Sequence, residues 1–264
     1  GSLTLDAANI LDMKTDGAST VTLTAPTVNI LNSAAVTSST TAAKADADSK
    51  GTFTVSAARG VNIGGGDVLF NGFKTINLFS GNDLSVKGIG SLTTGSAANG
   101  YADLNITAAR VVTGSDSGSD KKYIAPRFTI DAGTAAVTMT GVTGISPAVS
   151  TAPGGLLEIV ARRIEISTTL QSDGGTITLA TVGSAGMDDD GVFLGDGGQI
   201  LARGTDDAPG GRVLMLTDYI DESGVTRSGR IELAAGSLID VSAGQPTPTI
   251  TPQMGCGLSS GGGG

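Results

Sequence analysis

Arg230-Ile231-Glu232-Leu233-Ala234-Ala235-Gly236-Ser237-Leu238-Ile239-Asp240-Val241-Ser242-Ala243-Gly244 is the stretch whose reading decides the fold. Apolar and polar residues alternate in Ile231-Glu232-Leu233, stop at two small residues, and alternate again in Ile239-Asp240-Val241. A period of two is the mark of a strand with one buried face. The small residues between the two strands fit a tight corner. The unit therefore reads as strand, small corner, strand, then a Gly-rich loop.

The same unit recurs toward the N-terminus. Its first strand returns as Leu3-Thr4-Leu5, Val21-Thr22-Leu23, Phe53-Thr54-Val55, Ile76-Asn77-Leu78 and Leu104-Asn105-Ile106. Further copies are Phe128-Thr129-Ile130, Leu157-Glu158-Ile159, Ile177-Thr178-Leu179 and Val213-Leu214-Met215. Second strands follow as Val28-Asn29-Ile30, Val61-Asn62-Ile63, Leu84-Ser85-Val86, Val137-Thr138-Met139 and Ile164-Glu165-Ile166. Repeats of 20 to 50 residues mean stacked solenoid coils. Ten anchors predict ten coils, and the long gap after Ile177 predicts an eleventh, degenerate one around Val192-Phe193-Leu194 and Ile200-Leu201-Ala202. At about 4.8 Å per coil the rod would be roughly 50 Å long.

Because unlike strands keep a constant order, equivalent strands must superpose with one polarity, so the sheet is parallel. No helical period interrupts them, which excludes an α/β fold. An antiparallel sandwich would connect its strands by two-residue Asn-Gly turns. Asn71-Gly72 and Asn99-Gly100 offer two, and both fit loop tips. The expected fold is an all-β parallel β-helix over residues 1–244. A Pro/Thr-rich and then Gly-rich tail or linker spans 245–264.

Composition agrees with a thin core. The 264 residues include no Trp and 3% aromatics, so Val, Ile, Leu and Ala must fill the interior. A net charge of −9 disfavours nucleic acid and anionic membrane surfaces. No apolar run approaches the roughly 18 residues that span a bilayer. With one cysteine, Cys256, there is no internal disulfide framework. The absence of a charged-then-apolar leader reads as a mature fragment of a longer chain.

Gly211-Arg212-Val213-Leu214-Met215-Leu216 and the run Gly236 to Gly244 resemble the coils of the filamentous haemagglutinin-like exoprotein family, the large adhesins of bacterial two-partner secretion. The resemblance covers about residues 1–244. It implies a right-handed β-helix, a secreted protein exported through an outer-membrane transporter to the cell surface, and attachment to host or abiotic surfaces or biofilm formation. This chain departs from the family's regular coil in having longer, variable coils.

Candidate chemistry is sparse. Histidine is absent, which removes the commonest acid–base group and metal ligand. No catalytic residue and no cofactor-binding residue is assigned, and the chain is not expected to be an enzyme. Asp188, Asp189, Asp190 and Asp196 form the best acidic cluster. Ca²⁺ would need six to eight oxygens there, and the plainer reading is a solvated loop. Asp46-Ala47-Asp48-Ser49-Lys50-Gly51 begins like an EF-hand but has Ala57 where a bidentate Glu is required. Gly64-Gly65-Gly66 and Gly195-Asp196-Gly197-Gly198 read as turns, because no helix or Gly-Lys-Ser/Thr follows. Arg59, Arg110 and Arg163 share one offset from their anchors and are expected to bond at corners. Asn105-Ile106-Thr107 is a glycosylation sequon inside a strand. Cys256 stands in the tail as an interchain or incidental thiol.

Three functions stay open on these grounds: an adhesin stalk, a self-assembling extracellular filament or matrix protein, and a carbohydrate-active β-helix enzyme. Open strand edges at both ends predict end-to-end or lateral self-association, or flanking coils of a longer chain. Asn32–Lys50 is expected to be a long loop or an extra surface strand pair, and Ser184–Gly198 a loop, both presented on the shaft.

Overall fold

A computed structural model describes residues 1–12, 19–36, 51–114, 124–143, 151–183, 190–205, 209–220 and 224–244. Among the described residues there is no helix. Nineteen strands belong to one hydrogen-bonded sheet in which every pairing is parallel. Two antiparallel hairpins stand outside it, Gly95–Ser96 with Gly100–Tyr101 and Asp218–Ile220 with Thr226–Ser228.

The pairings resolve into three faces that the chain visits in the constant order I, II, III. Face I stacks Leu3, Val28, Val61, Leu84, Val111, Leu170, Ile200 and Ile239 one over another. Face II stacks Val68, Leu92, Ile130, Ile159, Leu179 and Met215, with Asn9–Leu11 on the outer side of 69–71. Face III stacks Val21, Phe53, Ile76, Leu104, Val137, Ile164, Val192 and Ile231 without a break. The strand Gly51–Asn71 shows the winding best: 52–57 lies on face III, 60–64 on face I and 66–71 on face II. Alternation explains the burial. Inward residues such as Ile164, Leu170 and Leu179 are fully buried, and each contributes about 2 kcal/mol by leaving water. Phe53, Phe70 and Phe73 pack together, ring centroids 5.1 to 6.3 Å apart, and widen the core near its N-terminal end.

This architecture corrects the expected coil. Each turn has three strands, not two, and two faces carry eight rungs, which gives about eight coils and a stack of roughly 35 Å. The ten anchors come from different faces. Phe128, Leu157, Ile177 and Val213 lie on face II, Leu3 on face I, and the others on face III. Every face buries alternate residues, so one apolar–polar–apolar pattern serves all three and cannot say which is which. The third strand of a coil, such as 66–71 or 89–93, carries glycines and reads as loop. At the place of the expected eleventh coil, Gly191–Leu194 and Gln199–Leu201 are strands, rungs of faces III and I, but they belong to the stack of about eight coils and add no eleventh. The reading of Ser184–Gly198 as one loop is thereby corrected in its second half, while 184–189 lies outside the described residues.

Two coils each lack one rung among the described residues. In the coil of 20–31, face II is not visited within the described residues, and Ile10 pairs directly with Phe70. In the coil of Arg127–Asp131 and Ala136–Thr140, face I is not visited within the described residues, and Arg110–Val112 pairs with Thr169–Gln171. The expected loop at Asn32–Lys50 begins as a turn at Ser33-Ala34 after the first of these places; 37–50 lies outside the described residues, as do 115–123 and 245–264.

Candidate functional site

Of the four acidic residues, the two within the described residues, Asp190 and Asp196, stand apart. Asp190 is buried and its Oδ1 accepts a 2.8 Å hydrogen bond from Arg162 Nη1 at the corner before face III. Asp196 is exposed at the far end of Gly191–Leu194, roughly 15–20 Å away at strand spacing. Asp188 and Asp189 lie outside the described residues. Among the described residues no three His, Cys, Asp or Glu side chains stand close enough to share a metal. Ala57, at the last position of the EF-hand-like stretch, points into the core, and 46–50 lies outside the described residues, as does Cys256.

The three arginines do not share a corner. Arg59 is exposed and Arg110 begins a face I strand, both at the corner between faces III and I. Arg163 stands between faces II and III, where it pairs with Glu165 at 3.1 Å and lies 3.9 Å over the Phe193 ring. Arg230, one rung beyond Phe193, approaches the same ring at 5.1 Å and pairs with Glu232. Phe193 occupies an outward position between Glu165 and Glu232, and the two guanidinium groups cover it. Sequence reasoning placed Val192-Phe193-Leu194 in a degenerate coil without singling out Phe193; the signal it held was a large ring at a position that alternation makes outward.

Arg110 anchors a longer chain of bonds. Its Nε and Nη2 donate to the two oxygens of Asp83 at 3.0 and 2.8 Å, and its Nη1 donates to Gln171 Oε1 at 2.8 Å. Gln171 Nε2 donates to Asp173 Oδ1, and Thr151 Oγ1 donates to Asp173 Oδ2. The network lies where face I closes over its missing rung, and it joins the strands on either side. Spacing gave no hint of it, because Arg110 and Gln171 are 61 residues apart.

Outward amides form two further ladders. Asn62 donates to Asn29 at 2.9 Å and Asn29 to Thr4 at 3.2 Å on face I. On face III, Asn105 donates to Asn77 at 2.9 Å and Asn77 to Thr54 at 3.3 Å. The amide of the sequon residue Asn105 is thus half-buried and already engaged.

Gly64-Gly65-Gly66 turns the corner from face I to face II, with Gly65 and Gly66 at φ 74° and 89°. Gly195 to Gly198 turns the corner from face III to face I, closed by the Gly198 N–H to the Gly195 carbonyl at 3.0 Å. Asn99-Gly100 sits at the tip of the hairpin that carries Tyr101, and Asn71-Gly72 at the corner from face II to face III.

Among the described residues, shallow depressions lie on the shaft. One beside face I is lined by Gln171, Asp173, Arg203, Asp240 and Ser242, with Arg203 3.7 Å from Asp240. Hydrogen bonds from the Ser242 backbone and then its side chain hold the Asp240 carboxyl below its ordinary value, with Arg203 adding to them. Another, on face II, is lined by Asp67, Ser91, Thr93, Ser96 and Tyr101. Burial, with the Asp131 charge second, pushes the Tyr101 phenol above its ordinary value. Among the described residues no helix is long and apolar enough to cross a membrane. In comparisons with known proteins, no family model, no curated protein and no solved structure matches the chain.

Proposed function

We propose that the chain is a segment of the shaft of a secreted bacterial surface adhesin of the filamentous haemagglutinin type, wound as a right-handed parallel β-helix. The unbroken face III column from Val21 to Ile231 carries this reading. A solenoid of this kind gains length by adding like coils, each stabilised by its neighbours, so it suits reach and display. Its outward faces carry amide ladders and shallow depressions, which suits contact with a surface better than enclosure of a substrate. Export through an outer-membrane transporter and attachment to host or abiotic surfaces follow from the resemblance of 211–216 and 236–244 and belong to the proposal. The reading assigns no catalytic step and no cofactor. Immunogold labelling of the producing bacterium should place the chain outside the outer membrane, and excising the segment in whole coils should reduce attachment. Label confined to the cytoplasm would overturn it.

A second reading, end-to-end association into a filament or matrix, is favoured by the last rungs. Ile231, Leu233, Ile239 and Val241 are 38–52% exposed, although the residues they stack upon, such as Val192 and Ile200, are fully buried. Among the described residues the strands there pair on one side only. Repeating fibres from the purified chain in electron micrographs would support this second reading.

A further inference from the structure

On face II an open depression of about 320 Å³ lies between two rungs and a hairpin. Its floor is formed by outward residues of adjacent rungs, Asp67 beside Ser91 and Leu69 beside Thr93. Its wall is the hairpin Gly95–Ser96/Gly100–Tyr101, which contributes Ser96 and the Tyr101 ring. Ser91 Oγ donates to Asp67 Oδ1 at 2.8 Å and orients the carboxylate.

Tyr101 is held rather than loose. Part of its ring lies against the backbone of Gly133, which has φ 46° and where a β-carbon would collide with the ring. A ring seated on backbone has little rotamer freedom left to lose when a ligand stacks on it. A phenol is protonated near neutral pH, so the Tyr101 hydroxyl can both donate and accept.

The lining therefore offers one fixed aromatic ring, three aliphatic hydroxyls and one oriented carboxylate beside the apolar Val68, Leu69 and Ala97, and it contains no cation. An apolar ligand would need an enclosed, mostly apolar cavity. An anion would meet Asp67 and a chain of net charge −9. A sugar ring matches both halves of the site: its C–H face lies on the aromatic ring, and its hydroxyls donate to the carboxylate and exchange bonds with Ser91, Thr93 and Ser96. We propose that the depression beside Tyr101 binds a neutral, hydroxyl-rich saccharide. This rests on the adhesive-shaft reading and gives the side of that shaft a ligand class.

The test uses the full chain with cellohexaose and N-acetylchitohexaose as neutral probes and hexagalacturonate as the acidic one. Calorimetry and ligand-observed saturation-transfer NMR read binding. At least one neutral probe should bind and the acidic probe should not. Tyr101→Ala should weaken binding at least tenfold, Tyr101→Phe should keep most of it, and Asp67→Asn should weaken it severalfold. Should Tyr101→Ala fail to fold, Ser96→Trp on the hairpin wall blocks the depression without removing the ring's seat, and an unchanged thermal melt confirms its fold. Absence of binding by both neutral probes at millimolar concentration, or binding untouched by Ser96→Trp, would overturn the proposal. Surface labelling without saccharide binding sinks the site and leaves the shaft; saccharide binding with cytoplasmic label does the reverse.

Discussion

Arg110 and Asp83 meet through a two-point contact, Nε to Oδ1 at 3.0 Å and Nη2 to Oδ2 at 2.8 Å, with the Asp83 side chain fully buried. The pair stands at the corner where face I passes over a coil that does not visit it within the described residues. There the ladder must join strands separated by a long excursion of chain, and a fixed fork between a guanidinium and a carboxylate sets their register.

Arg110→Ala should destabilise the fold by about 3–5 kcal/mol, because it leaves the Asp83 carboxylate buried without its charge partner. Arg163→Ala should cost about 1–2 kcal/mol, since its solvent-facing pair with Glu165 is worth little and its seat over the Phe193 ring adds about 1 kcal/mol. Denaturant unfolding of both variants checks the contrast, and equal losses would contradict it.

Glycine columns at the corner between faces I and II predict a steric effect. A β-carbon at Gly175 would collide with the Gly155 carbonyl, and one at Gly211 with the Gly175 carbonyl. The same carbonyls accept from Thr176 at 2.7 Å and Arg212 at 2.8 Å, so neither rung can move aside without losing a ladder bond. Gly175→Ala should lower stability by about 1–3 kcal/mol. A stability equal to wild type in a thermal melt would refute the stacking.

Core truncations should depend on position along the axis. Leu179→Ala and Ile164→Ala, both fully buried, should each cost about 2–5 kcal/mol. Leu233→Ala, at a side chain 52% exposed, should cost about 1 kcal/mol or less. Amide hydrogen exchange should show the same gradient, slowest near Ile164 and fastest at Leu238–Asp240.

Acid should act on the last rung. The Asp240 carboxyl is held below 3.8 by Ser242, so its contribution is present above that value and lost as pH falls through the lower folded one. An NMR titration of Asp240 should give a midpoint below 3.8, and Ser242→Ala, which removes the side-chain bond and keeps the backbone one, should move the midpoint part of the way upward. A midpoint at or above 3.8 in the wild-type chain would contradict the bonding.

Much of this molecule is legible in alternation. Ile76-Asn77-Leu78 and Ile164-Glu165-Ile166 are strands with the faces the pattern assigns, because a strand beside a dry core must bury every second residue. The corner residues were legible for a similar reason, since small side chains and positive φ are needed where coils turn. Neither Tyr101's seat on Gly133 nor the Phe193 sandwich was legible, because each depends on which rungs are adjacent.

The sequence alone determined that the chain is all-β, that its strands share one polarity, and that its core is a thin aliphatic column. It did so through local chemistry: side-chain period, glycine and small-residue corners, and the absence of helical spacing. Only the tertiary structure decided that a coil has three faces, that two coils skip a face among the described residues, and which side chains meet across 25 to 60 residues. The inward pattern is the same on every face, so register is settled by how neighbouring rungs pack and pair, and that information exists only between coils.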